Sequence, residues 1–174
     1  QHMAQTYELI GSKEQAFARF QDTVNNYPRA HFALSALQTL NDHDQEVNDY
    51  QAGLIYYYQG NYRAASAAFY RYLESGAGYD GAIYYYLGVS QMYVGNYQEA
   101  VDTFDKLMDQ FPDDPFYASA WEEKAYVYWN YQRNYQTGAD ILLDYVRNHP
   151  DQAPAPEMLF QAGRVLEIAR RLTP

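Results

Sequence analysis

The sequence predicts an all-α chain built from antiparallel helix pairs stacked as an array. Two observations carry the prediction. Gly60-Asn61-Tyr62 returns as Gly95-Asn96-Tyr97, a spacing of 35. Around both anchors the apolar residues recur at helical spacing until a proline or a polar loop stops them. Composition permits such a fold: 48% of the 174 residues are hydrophobic, enough for a packed core.

The elements follow from the repeat. Gly53 precedes Gly60 by seven residues, as Gly88 precedes Gly95, and Ala65 and Phe69 follow the first anchor as Ala100 and Phe104 follow the second. A third copy uses Asn134-Tyr135 with Ala139, Leu142 and Tyr145, and a fainter one runs Gly11-Ser12-Lys13, Ala16, Phe20 and Pro28. Residues 80–94 read as a first helix through Ile83, Tyr84, Leu87 and Val94, and residues 97–110 as a second through Ala100, Val101, Phe104, Leu107 and Met108. Phe111-Pro112-Asp113-Asp114-Pro115 ends it, because proline cannot continue a helix. Gly88 and Ala100 are small so that the two helices approach closely. Residues 31–40 predict an extra helix that fits no repeat slot, with too much apolar surface in Phe32, Leu34, Leu37 and Leu40 to leave in water, so Leu37 is expected in a core. Residues 156–172 read as a first helix again.

These residues resemble the tetratricopeptide repeat. The best copy supplies Tyr84, Leu87, Gly88, Gly95, Tyr97, Ala100, Phe104 and Pro112. The copy before it supplies Gly53, Tyr56, Gly60, Tyr62, Ala65 and Phe69. The third supplies Trp121, Ala125, Tyr128, Tyr135 and Pro150, with one extra residue near Gln132. Gln91, Tyr72 and Gly138 depart from the pattern. The resemblance implies a right-handed superhelical solenoid of about 9–10 helices. The expected organisation is a cloning remnant at 1–3, a partial repeat at 4–28 whose first helix is a stub from Ala4 to Ile10 ahead of Gly11, and an extra helix and loop at 29–45. Repeats at 46–80, 81–115 and 116–153 follow, then a terminal or capping helix at 154–174. The aromatic-Pro-Asp stops at 111–115 and 149–154 look similar to those of bacterial envelope repeat proteins, namely outer-membrane assembly lipoproteins and a periplasmic cell-division coordinator. That likeness implies a periplasmic or outer-membrane-associated setting, with the cytoplasm as the rival.

Several function classes are disfavoured. Lys and Arg number 12 against 22 Asp and Glu, a net charge of −10, so the basic patch that displaces counterions from a duplex is missing. The chain has no cysteine, which removes disulfides, thiol nucleophiles and thiolate metal sites. Asn41-Asp42-His43-Asp44 lacks metal-ligand spacing and reads as a polar loop. Gly76-Ala77-Gly78-Tyr79-Asp80-Gly81 spells a dinucleotide fingerprint but follows a helix instead of a strand, so it reads as an inter-repeat loop. Glu122 and Glu123 are adjacent on a helix and point about 100° apart, poorly placed as an acid/base pair. His149 sits at a helix stop and reads as a capping or solvated residue; His31 reads as packing. No enzyme, cofactor or metal is expected.

What remains is aromatic surface, with 21 Tyr in the chain. The resemblance implies that first helices line a concave groove through Tyr50, Leu54, Tyr57 and Tyr58 from one repeat. The next would give Tyr85, Val89, Met92 and Tyr93, and the third Glu122, Tyr126, Trp129 and Asn130, with Arg164 and Glu167 extending the row. The spacing of 50, 54, 57 and 58 puts the first four on one helical face. Tyr57, Tyr85, Tyr93 and Trp129 are the expected energetic centres. Tyr56, Tyr84 and Tyr97 occupy packing slots, and packing between neighbouring helices is the competing reading for the whole tyrosine set. The expected function is a non-enzymatic scaffold that binds a protein partner, as a peptide, helix or domain edge. Carbohydrate binding by the same groove and self-assembly into a homo-oligomer through the array ends are the rivals. The Lys/Asn/Arg clamp for acidic chaperone tails is missing: its slots hold Tyr50, Leu54, Tyr85 and Val89.

Overall fold

The computed structural model describes residues 2–78 and 80–172, of which residues 2–10 are described as helix backbone only. Gln1 of the expected cloning remnant, Tyr79 of the glycine-rich loop and residues 173–174 lie outside the described residues. Every regular element among the described residues is helical, as expected. The chain divides at Ala77–Gly78 into two compact units.

The first unit holds α1 (His2–Asn26), α2 (Ala33–Asp42), α3 (Asp49–Tyr58) and α4 (Tyr62–Glu74), with α1 paired on α2 and α3 on α4. One expectation is corrected here. α1 passes through Gly11 without a break. A glycine in a helix interior costs only about 1 kcal/mol against alanine, and no proline stops the helix there. The extra helix is α2. Leu37 and Leu40 are buried in it and form one core with Val24, Ala33, Ala36, Ala52, Ile55 and Ala68. Phe32 falls outside: it precedes the helix and stays exposed, its ring T-shaped against His31 at 5.1 Å. In the α3–α4 pair a β-carbon on Gly53 would stand 2.5 Å from Phe69 Cε1. The Asp49–Arg71 ion pair, at 2.6 Å, also joins these helices.

The second unit holds α5 (Gly81–Val94), α6 (Tyr97–Gln110), α7 (Tyr117–Tyr126), α8 (Tyr135–Asn148) and α9 (Ala155–Leu172). α5 pairs with α6, and α8 packs against both α7 and α9. Asp80 caps α5 by accepting from the Ile83 N–H at 3.2 Å. Ile83, Leu87, Phe104 and Leu107 are buried in the α5–α6 pair, and Ala125, Leu142, Tyr145, Met158 and Ala162 form one core cluster of α7, α8 and α9.

The three turns between first and second helices show how one extra residue is absorbed. After α3 and α5 the turn residues are Gly60 at φ +74° and Gly95 at φ +90°, conformations that glycine adopts without steric cost. The following asparagine N–H reaches back five residues, Asn61 to the Tyr56 carbonyl and Asn96 to that of Gln91, both at 2.9 Å. After α7 the helix first widens into a π-turn, Val127–Tyr131. There the Asn134 N–H reaches back six residues, to the Tyr128 carbonyl at 2.9 Å. Arg133 fills the glycine slot at φ +57°.

The π-turn also explains Gly138, where the repeat pattern asks for alanine. A β-carbon there would meet Trp129 Cβ at 2.8 Å and the Ala125 carbonyl oxygen at 3.0 Å. Tyr72, another departure, packs its ring 5.5 Å from that of Tyr50.

Candidate partner-binding face

Of the twelve expected groove residues, four belong to the first unit and eight to the second. Three are corrected outright. Leu54, Val89 and Met92 are buried and present no contact surface. They lie on helices that are apolar nearly all round, so the face turned to neighbouring helices is wider than a narrow stripe.

In the first unit Tyr50 is also not free for a partner. Its ring lies 6.0 Å from Phe69 and 5.5 Å from Tyr72, against its own second helix. Tyr57 and Tyr58 pack edge to face at 5.4 Å, and Tyr57 meets Tyr62 at 5.7 Å. Arg29 holds Tyr58: its guanidinium lies 4.6 Å from the ring centre and donates to the hydroxyl at 3.0 Å.

In the second unit a continuous set of contacts runs from α5 through α7 to α9. Tyr85 stacks on Phe116 at 4.4 Å and 15°, and its hydroxyl is hydrogen-bonded to Glu123. Burial, then the neighbouring Glu123 charge, holds this phenol far above its ordinary range, so Tyr85 remains a donor. Glu123 is itself pushed up by burial and by the charge of Glu122. Glu122 is raised by burial and by Glu157. The two carboxylates do point to different partners, Glu123 to Tyr85 and Glu122 to Gln161, whose amide donates at 3.5 Å and also reaches Glu157 at 3.4 Å. Lys124, next in the chain, pairs with Asp105 at 2.6 Å and ties α7 to α6.

Beyond this polar row lies the open part. Trp129, Glu157, Gln161, Arg164, Val165 and Ile168 line a cleft of about 350 Å³ between the π-turn and α9. Trp129 belongs to a chain of aromatic contacts built on the π-turn. Tyr126 meets Trp129 edge to face at 5.1 Å and Tyr131 at 5.5 Å, and Tyr131 stacks on Tyr97 at 4.8 Å. Tyr93 is 53% exposed, and Asn130 is half-buried. Arg164 is exposed over the Phe160 ring, whereas Glu167 is ion-paired with Arg171. Trp129 therefore lines the cleft, Tyr126 touches its ring, Tyr93 lies near Tyr131, and Tyr85 is half-buried against Phe116.

Sequence reasoning missed Phe116, Gln161, Tyr131 and Phe160. Phe116 and Tyr131 sit where loop and π-turn break the repeat register. Gln161 and Phe160 lie on α9, whose slots follow from aligning Leu159, Ala162 and Gly163 with Tyr84, Leu87 and Gly88. The polar candidates dismissed as catalytic have structural partners: His149 caps α8, donating through Nδ1 to the Tyr145 carbonyl at 3.2 Å, and His43 packs 5.1 Å from Phe17. No three His, Asp or Glu side chains converge as a metal site among the described residues, and no described helix is long and apolar enough to cross a membrane.

Models of the tetratricopeptide repeat match residues 50–115 and 87–153, and a second such model matches residues 2–30. No curated protein matches the chain.

Proposed function

Because the chain belongs to the tetratricopeptide repeat family, whose repeats point to a protein–protein interaction scaffold, we propose that it acts without catalysis, taking a partner segment on the α5–α7–α9 face of its second unit. The observation that carries this reading is the cleft of about 350 Å³ lined by Trp129, whose ring meets that of Tyr126 edge to face, in the unit that also exposes Tyr93. Its apolar lining, Trp129, Val165 and Ile168, suits one apolar anchor. Its rim of Glu157, Gln161 and Arg164 offers acceptors and donors to a peptide backbone or a polar flank. The partner is thus an apolar side chain on a peptide or helix, desolvated against Trp129. A bacterial envelope assembly is the proposed setting, periplasmic or at the outer membrane, supported by the aromatic-Pro-Asp stops at 111–115 and 149–154.

The test is affinity capture of the native partner by wild type and by a Tyr93→Ala/Trp129→Ala variant whose helicity and melting temperature are checked first. Loss of capture in the folded variant supports the face as the site. Unimpaired capture overturns it. Retention on an insoluble glycan, lost in the same variant, would replace the protein partner with a carbohydrate. Salt should weaken capture less than it weakens a charge-driven complex, since aromatic and aliphatic groups form the centre.

A further inference from the structure

The two helix stops, 111–115 and 149–154, share a second cleft, of about 510 Å³. Asp113, Asp114, Tyr117, Tyr145, His149 and Gln152 line it. Pro112, Pro115 and Pro154 also stand in its walls, and their fixed φ sets those walls before any ligand arrives. Asp114 is already engaged: it accepts from the Phe116 N–H at 2.8 Å and packs over Gly81, where any β-carbon would collide with it. Asp113 is exposed and has no hydrogen bond or ion pair with any described residue.

One wall is aromatic. His149 stacks on Tyr145 at 4.7 Å and 26° and meets Tyr117 edge on at 5.5 Å, while Trp121 lies 6.0 Å from Tyr145 and 6.4 Å from Tyr117. Tyr145 is only 2% exposed, yet its hydroxyl has no hydrogen-bond partner among the described residues. A polar group so buried is costly to leave unmatched, and this side chain lines the cleft. The Tyr117 hydroxyl has no such partner either. His149 spends its Nδ1–H on the Tyr145 carbonyl at 3.2 Å, which leaves Nε2 as a bare acceptor. The open groups are therefore a carboxylate, two phenol oxygens and an imidazole nitrogen, all able to accept. No lysine or arginine lines the cleft to answer them.

We propose that this cleft takes an arginine side chain of a protein partner, its guanidinium held between the aromatic wall and the Asp113 carboxylate. Charge complementarity selects a cation, and the acceptor count selects which one. A guanidinium carries five N–H donors in a flat fork, stacks on rings and pairs with carboxylates; an ammonium offers three donors and no plane. The cation lies on the aromatic face that favours positive charge and displaces little tightly held water, because guanidinium is weakly hydrated. The cleft shares no residue with the one at Trp129, so it is a second point of recognition, and its failure leaves the proposed function standing.

The experiment is calorimetric titration of the full chain with a Gly-Arg-Gly peptide blocked at both ends, and with the same peptide carrying lysine or the uncharged isostere citrulline. The arginine peptide is expected to bind, lysine to bind more weakly, and citrulline to lose at least about tenfold in affinity. Asp113→Asn, at an exposed loop position, should weaken the arginine peptide at least about fivefold, and Tyr145→Phe, which keeps the ring and removes the hydroxyl, should weaken it too. Asp102→Asn makes the same change in net charge on exposed α6 surface away from the cleft and should leave affinity unaltered. No binding of the arginine peptide up to millimolar concentration overturns the proposal. So does citrulline binding as well as arginine, a result that needs no variant, or equal losses in Asp113→Asn and Asp102→Asn. Free arginine binding tenfold tighter than the blocked peptide would replace the protein partner with a free amino acid and overturn it as well.

Discussion

The ring of Phe104 occupies the space a side chain at residue 88 would need: a β-carbon on Gly88 would stand 2.6 Å from Phe104 Cε1 and 2.9 Å from Cδ1 and Cζ is equally close. Glycine is there because phenylalanine is opposite it, and the same logic gives alanine opposite Leu142.

Gly88→Leu should therefore destabilise the fold by about 1–3 kcal/mol through overpacking. Combining Gly88→Ala with Phe104→Leu copies the Ala125–Leu142 pair. The double variant should be more stable than the sum of the single effects by about 1 kcal/mol, as coupled neighbours behave. Urea denaturation of the four proteins measures this. Strict additivity would mean that residues 88 and 104 do not share a contact.

Arg133 sits at φ +57° in the slot held by Gly60 and Gly95. Left-handed backbone costs a side-chain-bearing residue roughly 1–2 kcal/mol, against which glycine adds some chain entropy to the unfolded state. Arg133→Gly should stabilise by about 0.5–1 kcal/mol and raise the denaturation midpoint without changing the slope.

At Gly138 the neighbours are a tryptophan β-carbon and a backbone carbonyl, neither of which is a flexible side-chain end. Gly138→Ala should cost about 1–2 kcal/mol even though alanine is the better helix former. The near-ultraviolet signal of the tryptophans should shift with it, because Trp129 must move.

Acidity gives a fourth test. Burial raises Glu123 and Glu122 above their ordinary value of 4.5, so the folded chain holds protons that the unfolded chain has released. Stability must then fall as pH rises through the window from that ordinary value to the raised one, the reverse of a salt-bridged carboxylate. Glu123→Gln keeps an acceptor for the Tyr85 hydroxyl and removes the charge. Its stability should vary less with pH across that window, with the gain over wild type appearing on the neutral side. Denaturation midpoints from pH 4 to pH 8, taken as a roughly ordinary carboxylate-to-neutral range, check the sign.

The fold was legible because its signals are local. Gly-Asn-Tyr anchors, proline stops and small residues opposite aromatics need only a few neighbours to be read, and Leu37 could be placed in a core from the apolarity of its helix alone. The binding face was less legible. Leu54, Val89 and Met92 share helices with half-buried or exposed tyrosines, and spacing cannot tell a groove from a contact with the next helix. Spacing puts Tyr50 and Tyr85 in groove slots, but the residues that occupy them, Tyr72 and Phe116, lie outside their own helices. Gly11 misled in the other direction, since a glycine signals a turn only where the chain must adopt an unusual φ.

The widened turn at Val127–Tyr131 confines an insertion to one place. A single added residue in an ordinary helix would rotate everything after it by about 100° and turn Leu142 of α8 away from Ala125. Here the surplus is spent inside one loop of backbone, and Asn134 re-enters the chain in phase. The repeat is thus defined by its contacts and not by its length. Copies of unequal size can stand side by side in one array, and a lineage can add or lose a residue at this point without re-solving the packing of its neighbours.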